Sequence, residues 1–196
     1  EDVFHSLLPQ AFTKSNLVHA YIDTQAQVLV INTSSRKTAD SFLEYLRLTL
    51  SGLKVKLPET KPLTKLMTNW LLDAPPQHFS INAKAVIQDP LDSKRVIRCQ
   101  GQDLHHESII KLIQQGCEIA EMALNWAEQV DFTLKADMSI KAIRFTDGVQ
   151  DQADDGLAES EIARFDADFT IMAATLHKML EQLFADILKG ETAKQT

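Results

Sequence analysis

The sequence predicts an α+β protein with antiparallel sheets packed with helices, and three observations support this class. Apolar and β-branched residues cluster or alternate with polar ones over several short runs, which is typical of strands. Three consecutive runs, at residues 117–126, 130–135 and 140–146, have short connections, as in an antiparallel meander. Near the C-terminus apolar residues recur at spacings of three and four, which predicts a long amphipathic helix.

The first third of the chain predicts a hairpin followed by a capped helix. Residues 17–24 and 27–33 are rich in β-branched and apolar side chains and are separated by a polar break, which favours two paired strands. Ser34 and Ser35 then offer an N-cap, because serine hydroxyls accept backbone N–H groups there. A helix with a stop at Gly52 follows from apolar residues at helical spacing. These residues are Ala39, Phe42, Leu43, Leu46 and Leu50.

Four further features complete the N-terminal part. Residues 2–8 predict a helix that Pro9 ends or kinks. Alternation of apolar residues with lysines over 53–57 predicts a half-buried strand with a basic outer face. A short helix is expected at 62–72, and Asp73-Ala74-Pro75-Pro76 reads as a linker, where we place a domain boundary.

The C-terminal part is expected to begin with strands at 79–88 and 95–100, joined by a loop at 89–94. A helix from about 105 to 115 should precede the meander, and the final helix should run from about 157 to 188. The apolar stripe of that last helix either covers a sheet or forms a seam between subunits. It consists of Ile162, Phe165, Phe169, Met172, Leu176, Met179, Leu183 and Ile187.

Charge is unevenly distributed along the 196 residues, which carry a net charge of −7. Residues 36–65 hold seven Lys or Arg against three acids, whereas residues 147–168 hold one Arg against eight acids. The overall sign argues against nucleic-acid binding, but the polarity allows a basic surface and an acidic surface in one molecule. Arg36 and Lys37 begin a predicted helix, where the helix dipole disfavours cations, and a bound phosphate would reconcile that placement.

Candidate chemical sites fail on spacing. Asp166 and Asp168 would point to opposite sides of a helix and so cannot share a proton. The segment 151–162 lacks the third and twelfth ligands of a calcium loop. Adjacent histidines at 105 and 106 diverge on a helix, so we expect capping by Asp103 or His105 and no metal or other cofactor.

Covalent and phosphate-binding motifs are also missing. The two cysteines, Cys99 and Cys117, are expected to be reduced thiols, because they form no C-x-x-C pair. Glycine-rich phosphate loops and nucleophile-elbow motifs do not occur, so we expect a protein that is not an enzyme.

Three stretches resemble the RdgC family of recombination-associated proteins. His5 to Phe12 is similar to the family's H-S-L-L-P-R-A-F, Gln102 to Leu104 to a Q-D-L that closes a basic strand, and Arg164 to Phe169 to its R-F-D-A-D-F. They lie in the family's order and span nearly the whole chain. The sequence departs from the pattern at Gln10, where Arg is expected, and at Gln100 and Gly101, where lysines are expected.

The resemblance implies a homodimeric ring that encircles DNA without sequence preference and restrains RecA-type recombinase action. Each subunit would have a tip, a centre and a base, with the N-terminal part of the family's chain missing here. Residues 1–11 would be a remnant of the tip helix, 12–73 part of the centre subdomain, and 74–196 the base subdomain. A cytoplasmic, nucleoid-associated protein without membrane contact is expected.

The expected DNA contacts combine family positions with the basic segments. The resemblance assigns DNA contact to Arg36, Lys37, Arg98 and Gln102, and makes Phe12 a contact between subunits. The basic character of neighbouring segments adds the other positions, which are Lys54, Lys56, Lys94 and Arg95.

The rival interpretation is a protein-interaction or dimerisation module that uses the acidic C-terminal face and does not touch DNA. For assembly, we expect an open, base-linked dimer or a monomer, because Phe12 alone is too small an interface. Its DNA binding should be weaker than that of a closed ring, since encirclement adds avidity.

Overall fold

The computed structural model describes residues 12, 16–57, 60–149 and 160–188. The chain divides into two compact units, Glu1–Lys56 and Leu57–Thr196. Both units combine antiparallel strands with helices, so the predicted α+β class is confirmed. The predicted helix at 2–8, the tip remnant 1–11 and most of the acidic loop fall outside the described residues.

The first unit contains the predicted hairpin and capped helix. Strands β1 (Ala20–Asp23) and β2 (Val28–Ile31) pair antiparallel, with Ala20 opposite Ile31. Helix α1 (Arg36–Thr49) begins after Ser35, whose hydroxyl accepts the Thr38 N–H at 3.3 Å. None of the residues described in this unit is fully buried.

The predicted strand at 53–57 is wrong. These residues are described but form no strand. Leu53 and Val55 are half-buried and Lys54 and Lys56 exposed, as the alternation predicts, but Leu57 is 56% exposed. The carbonyl of Val55 accepts a hydrogen bond of 2.8 Å from Arg47 Nη2 instead of from a neighbouring strand. Alternation therefore predicts the half-buried positions only in part, and a strand also needs a partner.

The second unit begins with helix α2 (Leu63–Leu72), which confirms the predicted short helix. Its five strands form one antiparallel sheet in the order β4-β3-β5-β6-β7. The predicted loop at 89–94 is shorter than expected, because β3 and β4 extend to a turn at Pro90 and Leu91. The strands and remaining helices are β3 (Phe79–Asp89), β4 (Asp92–Gln100), α3 (Glu107–Gln114), β5 (Glu118–Trp126), β6 (Val130–Lys135), β7 (Ile140–Phe145) and α4 (Glu161–Leu188).

The core of this unit lies on one side of the sheet. The Thr68 hydroxyl fixes α2 to β5, because it accepts the buried Ile119 N–H at 2.9 Å and donates to the Thr64 carbonyl at 2.7 Å. Phe79 and Phe132 pack edge to face with ring centroids 6.3 Å apart. The sequence predicts a domain boundary after residue 73, between a centre subdomain at 12–73 and a base subdomain at 74–196. That division stays a prediction.

Only the second half of α4 is buried. Trp126 Nε1 donates a 2.8 Å hydrogen bond to Gln182 Oε1, which anchors this half to β5. Ile162 and Phe165, at the start of the same predicted stripe, are 81% and 70% exposed. The buried residues are Leu176, Met179, Leu180, Leu183 and Ile187.

The cap of α3 differs from the prediction. His106 is the N-cap, and its Nδ1 accepts the Ser108 N–H at 3.3 Å. Asp103 instead accepts the His105 N–H at 2.8 Å and closes the turn before the helix. None of the described helices is long and apolar enough to cross a membrane.

Candidate nucleic-acid interface

Strand pairing fixes which residues of β3 and β4 face away from the core. Ala85 pairs with Cys99, and both are buried, so this pair lies on the core side. Lys84 pairs with Gln100, and Val86 pairs with Arg98. Because successive side chains alternate between faces, these neighbouring pairs lie on the opposite, outer face.

Lys84 and Arg98 are therefore diagonal neighbours on this outer face, and we call them the outer-face pair. Diagonal cross-strand positions lie roughly 7–8 Å apart, within reach of long side chains. Both residues are exposed, and neither forms an ion pair with another described residue. Sequence reasoning proposed Arg98 but missed Lys84. The sequence signal that could have identified Lys84 is that apolar Ala85 and Ile87 occupy the alternate positions of the same predicted strand.

Lys94 and Arg95 lie at the irregular end of β4. Gln88 on β3 pairs with Val96, and the next residue, Asp89, pairs with Asp92. Residues 93–95 of β4 are therefore unpaired and form a bulge. The Arg95 guanidinium lies 3.6 Å from Asp89 and 3.4 Å from Asp92, so neighbouring carboxylates offset its charge. Lys94 is exposed and has no ion pair among the described residues.

Lys135 on β6 and Arg144 on β7 are matched by acids, whereas Lys141 on β7 forms no ion pair with a described residue. Lys135 Nζ lies 3.7 Å from both the Glu121 and the Asp137 carboxylates. The Asp131 carboxylate accepts hydrogen bonds from Asn125, Asn82 and Arg144 at 2.8, 3.1 and 3.3 Å.

These hydrogen bonds lower the pKa of Asp131, and the bond from Asn125 is the largest cause. The carboxylate is thus held in its charged form beside the Arg144 guanidinium. Among the described residues, unmatched positive charge is consequently found at the β3–β4 edge and at Lys141 on β7.

The first unit carries four of the predicted contact residues. Arg36 lies 3.7 Å from Asp40, and both side chains are more than 60% exposed, so the attraction between them is weak. Lys37, Lys54 and Lys56 are exposed. The first turn of α1 contains no acid, and its Thr38 N–H is already bound by Ser35, so an anion here would meet Lys37 and the other N–H groups of that turn.

The remaining predicted positions are exposed as well. Gln102 lies in the turn after β4, and Phe12 is fully exposed, with adjoining residues outside the described part of the chain. Among the described residues no group of three or more His, Cys, Asp or Glu side chains could hold a metal ion. Cys99 is a buried free thiol and Cys117 a half-buried one.

The second unit is thus an α+β unit built on a five-stranded antiparallel sheet, with unmatched cations exposed at one edge. The chain belongs to the RdgC family, because residues 1–191 match the family model described as "Putative exonuclease, RdgC". This match confirms the resemblance inferred from three short stretches.

Relatives in several bacteria carry the name "Recombination-associated protein RdgC". The Tolumonas auensis protein is 35% identical over 99% of this chain and 65% of its own length. The Haemophilus influenzae protein is 34% identical over 99% of this chain and 65% of its own length. The Pseudoalteromonas atlantica protein is 32% identical over 93% of this chain and 61% of its own length. The chain therefore spans less than two thirds of the length of these relatives. Their name indicates recombination, whereas the family description names a nuclease.

Proposed function

We propose that this chain is a sequence-independent DNA-binding protein that contacts the phosphate backbone through exposed lysine and arginine side chains. The observation that carries the proposal is the outer-face pair, two adjacent cations without acidic partners among the described residues. Cations of this kind bind DNA by neutralising phosphates and releasing counterions, which requires no contact with base edges. The overall charge of −7 means that binding depends on local surfaces rather than on net attraction.

In its family context the proposal extends to assembly. The whole protein would form a homodimeric ring around DNA and would restrain RecA-type recombinases by occupying their substrate. This chain alone would form an open, base-linked dimer or a monomer, and it would bind DNA more weakly than a closed ring. Light scattering on the chain tests this part, and a closed assembly held through residues 1–12 would contradict it.

Fluorescence anisotropy with labelled duplexes of unrelated sequence tests the DNA contact. We expect similar affinities for all sequences and a steep loss of affinity from about 50 to 200 mM salt, because counterion release drives binding. Equal binding at both salt concentrations, or a strong preference for one sequence, would contradict the proposal.

The rival function is a protein-interaction module that leaves DNA untouched. The observation in its favour is the exposed start of α4, where Ile162 and Phe165 face solvent. Replacing Arg36 and Lys37 with glutamate separates the two functions in part. Unchanged DNA affinity in that double variant would favour the rival, and reduced affinity would favour DNA contact by α1.

A further inference from the structure

Strand pairing connects the outer-face pair to Lys141 at the opposite side of the sheet. Lys141 on β7 pairs with Thr133 on β6, and Thr133 pairs with Ala123 on β5. Ala123 in turn lies opposite the irregular segment of β3 that ends at Lys84. These four residues form one line across four strands, and we call them the outer-face row.

The outer-face row lies on the same side of the sheet as the outer-face pair. Val86, on that side, pairs with Glu121 on β5, and Glu121 pairs with Lys135 on β6. Side chains two residues apart on a strand share a face, so Ala123 and Thr133 lie on this side too. Lys141 follows them, because directly paired side chains project from the same face of a sheet.

A cation stands at each end of this row. Three strand spacings of about 4.8 Å separate the two lysines, so their Cα atoms are roughly 14 Å apart. Lys84 is exposed and Lys141 half-buried, and neither forms an ion pair with another described residue. Ala123 and Thr133 between them have short side chains that are only 8% and 7% exposed. The row is therefore low in the middle and positively charged at both ends.

The composition of the outer face favours a duplex over a single strand. Cations outnumber carboxylates among its strand residues, and two of the carboxylates, Glu121 and Asp131, are already in ion pairs. None of the strand residues on this face is aromatic, whereas proteins that hold single strands stack the bases on aromatic side chains. The charged residues of the face are Lys84, Arg98, Lys135, Lys141, Arg144, Glu118, Glu121 and Asp131.

The spacing of the two lysines identifies a groove. The minor groove of B-DNA is about 6 Å wide between phosphate surfaces, so the phosphates across it are roughly 12 Å apart. Across the major groove, which is about 12 Å wide, the corresponding distance is roughly 18 Å. The separation of about 14 Å between Lys84 and Lys141 is closer to the minor-groove value.

We infer that the outer face contacts both strands of a DNA duplex across its minor groove, with the outer-face pair on one backbone and Lys141 on the other. The inference rests on the proposed function and adds to it the groove and the second strand. Ala123 and Thr133 face the opening of the groove and are too short to reach its base edges. The contact therefore stays independent of sequence, since phosphate contacts carry no sequence information.

The salt dependence of affinity tests the second backbone contact. On a short duplex of mixed sequence, Lys141→Gln should lower the slope of log affinity against log salt by about one. Lys84→Gln combined with Lys141→Gln should lower it by about two, because both lysines contact the same duplex. The matched control Lys178→Gln removes an exposed lysine of α4 and should keep the wild-type slope. An unchanged slope for Lys141→Gln would overturn the inference.

Methylation by dimethyl sulfate tests the groove with the wild-type chain. The reagent attacks adenine N3 in the minor groove and guanine N7 in the major groove. Saturating amounts of the chain should reduce methylation of N3 at least about threefold and leave N7 unchanged, because the sheet covers only the minor groove. Protection of N7 alone, or equal protection of both atoms, would overturn the inference.

The outcomes separate this inference from the proposed function. A wild-type chain that bound no duplex would contradict both. A slope that fell with Lys84→Gln, Arg98→Gln but not with Lys141→Gln would retain the proposed DNA contact and overturn only the contact across the minor groove.

Discussion

Lys84 and Arg98 lie on neighbouring antiparallel strands, two residue pairs apart in register and on the same face of the sheet. Their like charges repel each other, although less strongly than they would at directly opposite positions. Neither side chain forms an ion pair with a described acid, whereas Lys135 and Arg144 on the same sheet each have a carboxylate partner. A phosphate backbone would remove the repulsion, and this relationship therefore supports the proposed DNA contact.

Replacing Thr68 with valine should destabilise the second unit. The substitution preserves shape but leaves the buried Ile119 N–H without its 2.9 Å acceptor, which costs about 1–3 kcal/mol. Urea denaturation measures the loss, and Thr68→Ser is the control because it keeps the hydroxyl. If valine and serine destabilise equally, the hydrogen bond does not stabilise the α2–β5 contact.

Acid should weaken the fold in part through Asp131. Its folded pKa lies below its ordinary value of 3.8, so its contribution to stability is present above about pH 4 and is lost as the pH falls through the folded pKa. The free energy of unfolding of Asp131→Asn should therefore depend less on pH between about 5 and 2 than that of the wild type. Asp73→Asn is the control, since the exposed Asp73 side chain forms no hydrogen bond or ion pair with other described residues. Identical pH profiles for wild type and Asp131→Asn would refute the assignment.

The two halves of α4 should respond differently to truncation. Leu183→Ala should reduce the free energy of unfolding by about 2–5 kcal/mol, because it leaves a cavity in the core. Phe165→Ala should change it by less than about 1 kcal/mol, because the side chain is 70% exposed. Thermal or urea unfolding compares the two variants. A large loss with Phe165→Ala would mean that the Phe165 side chain packs within the chain.

The chain should bind DNA without degrading it. We expect this result because the sequence offers no recognisable catalytic constellation. The expectation needs a direct test because the family description names an exonuclease. End-labelled single- and double-stranded DNA should stay full length after incubation with the chain and Mg²⁺ or Mn²⁺. Progressive shortening that copurifies with the chain would establish a nuclease and correct the expectation.

Periodicity predicted most of the fold. The spacings of apolar residues identified α2, the meander and the long helix, and Ser35 identified the start of α1. The strand at 53–57 could not be excluded, because alternation does not reveal whether a partner strand lies alongside.

The site was harder to predict than the fold. Arg98 was proposed from the family pattern, but Lys84 belongs with it only through a cross-strand register that one strand's sequence does not contain. The pairing of Arg95 with Asp89 and Asp92 depends on a bulge. Neither the register nor the bulge leaves a signal in local composition.

The salt dependence of DNA affinity in a variant without the outer-face pair tests the central claim most directly. Each lost phosphate contact should lower the slope of log affinity against log salt by about one. The double variant Lys84→Gln, Arg98→Gln should therefore lose about two from its slope, equally for all DNA sequences. The matched control Lys111→Gln, Lys178→Gln removes two exposed lysines from helices and should keep the wild-type slope. An unchanged slope for Lys84→Gln, Arg98→Gln, or an equal decrease in both variants, would contradict the proposed interface.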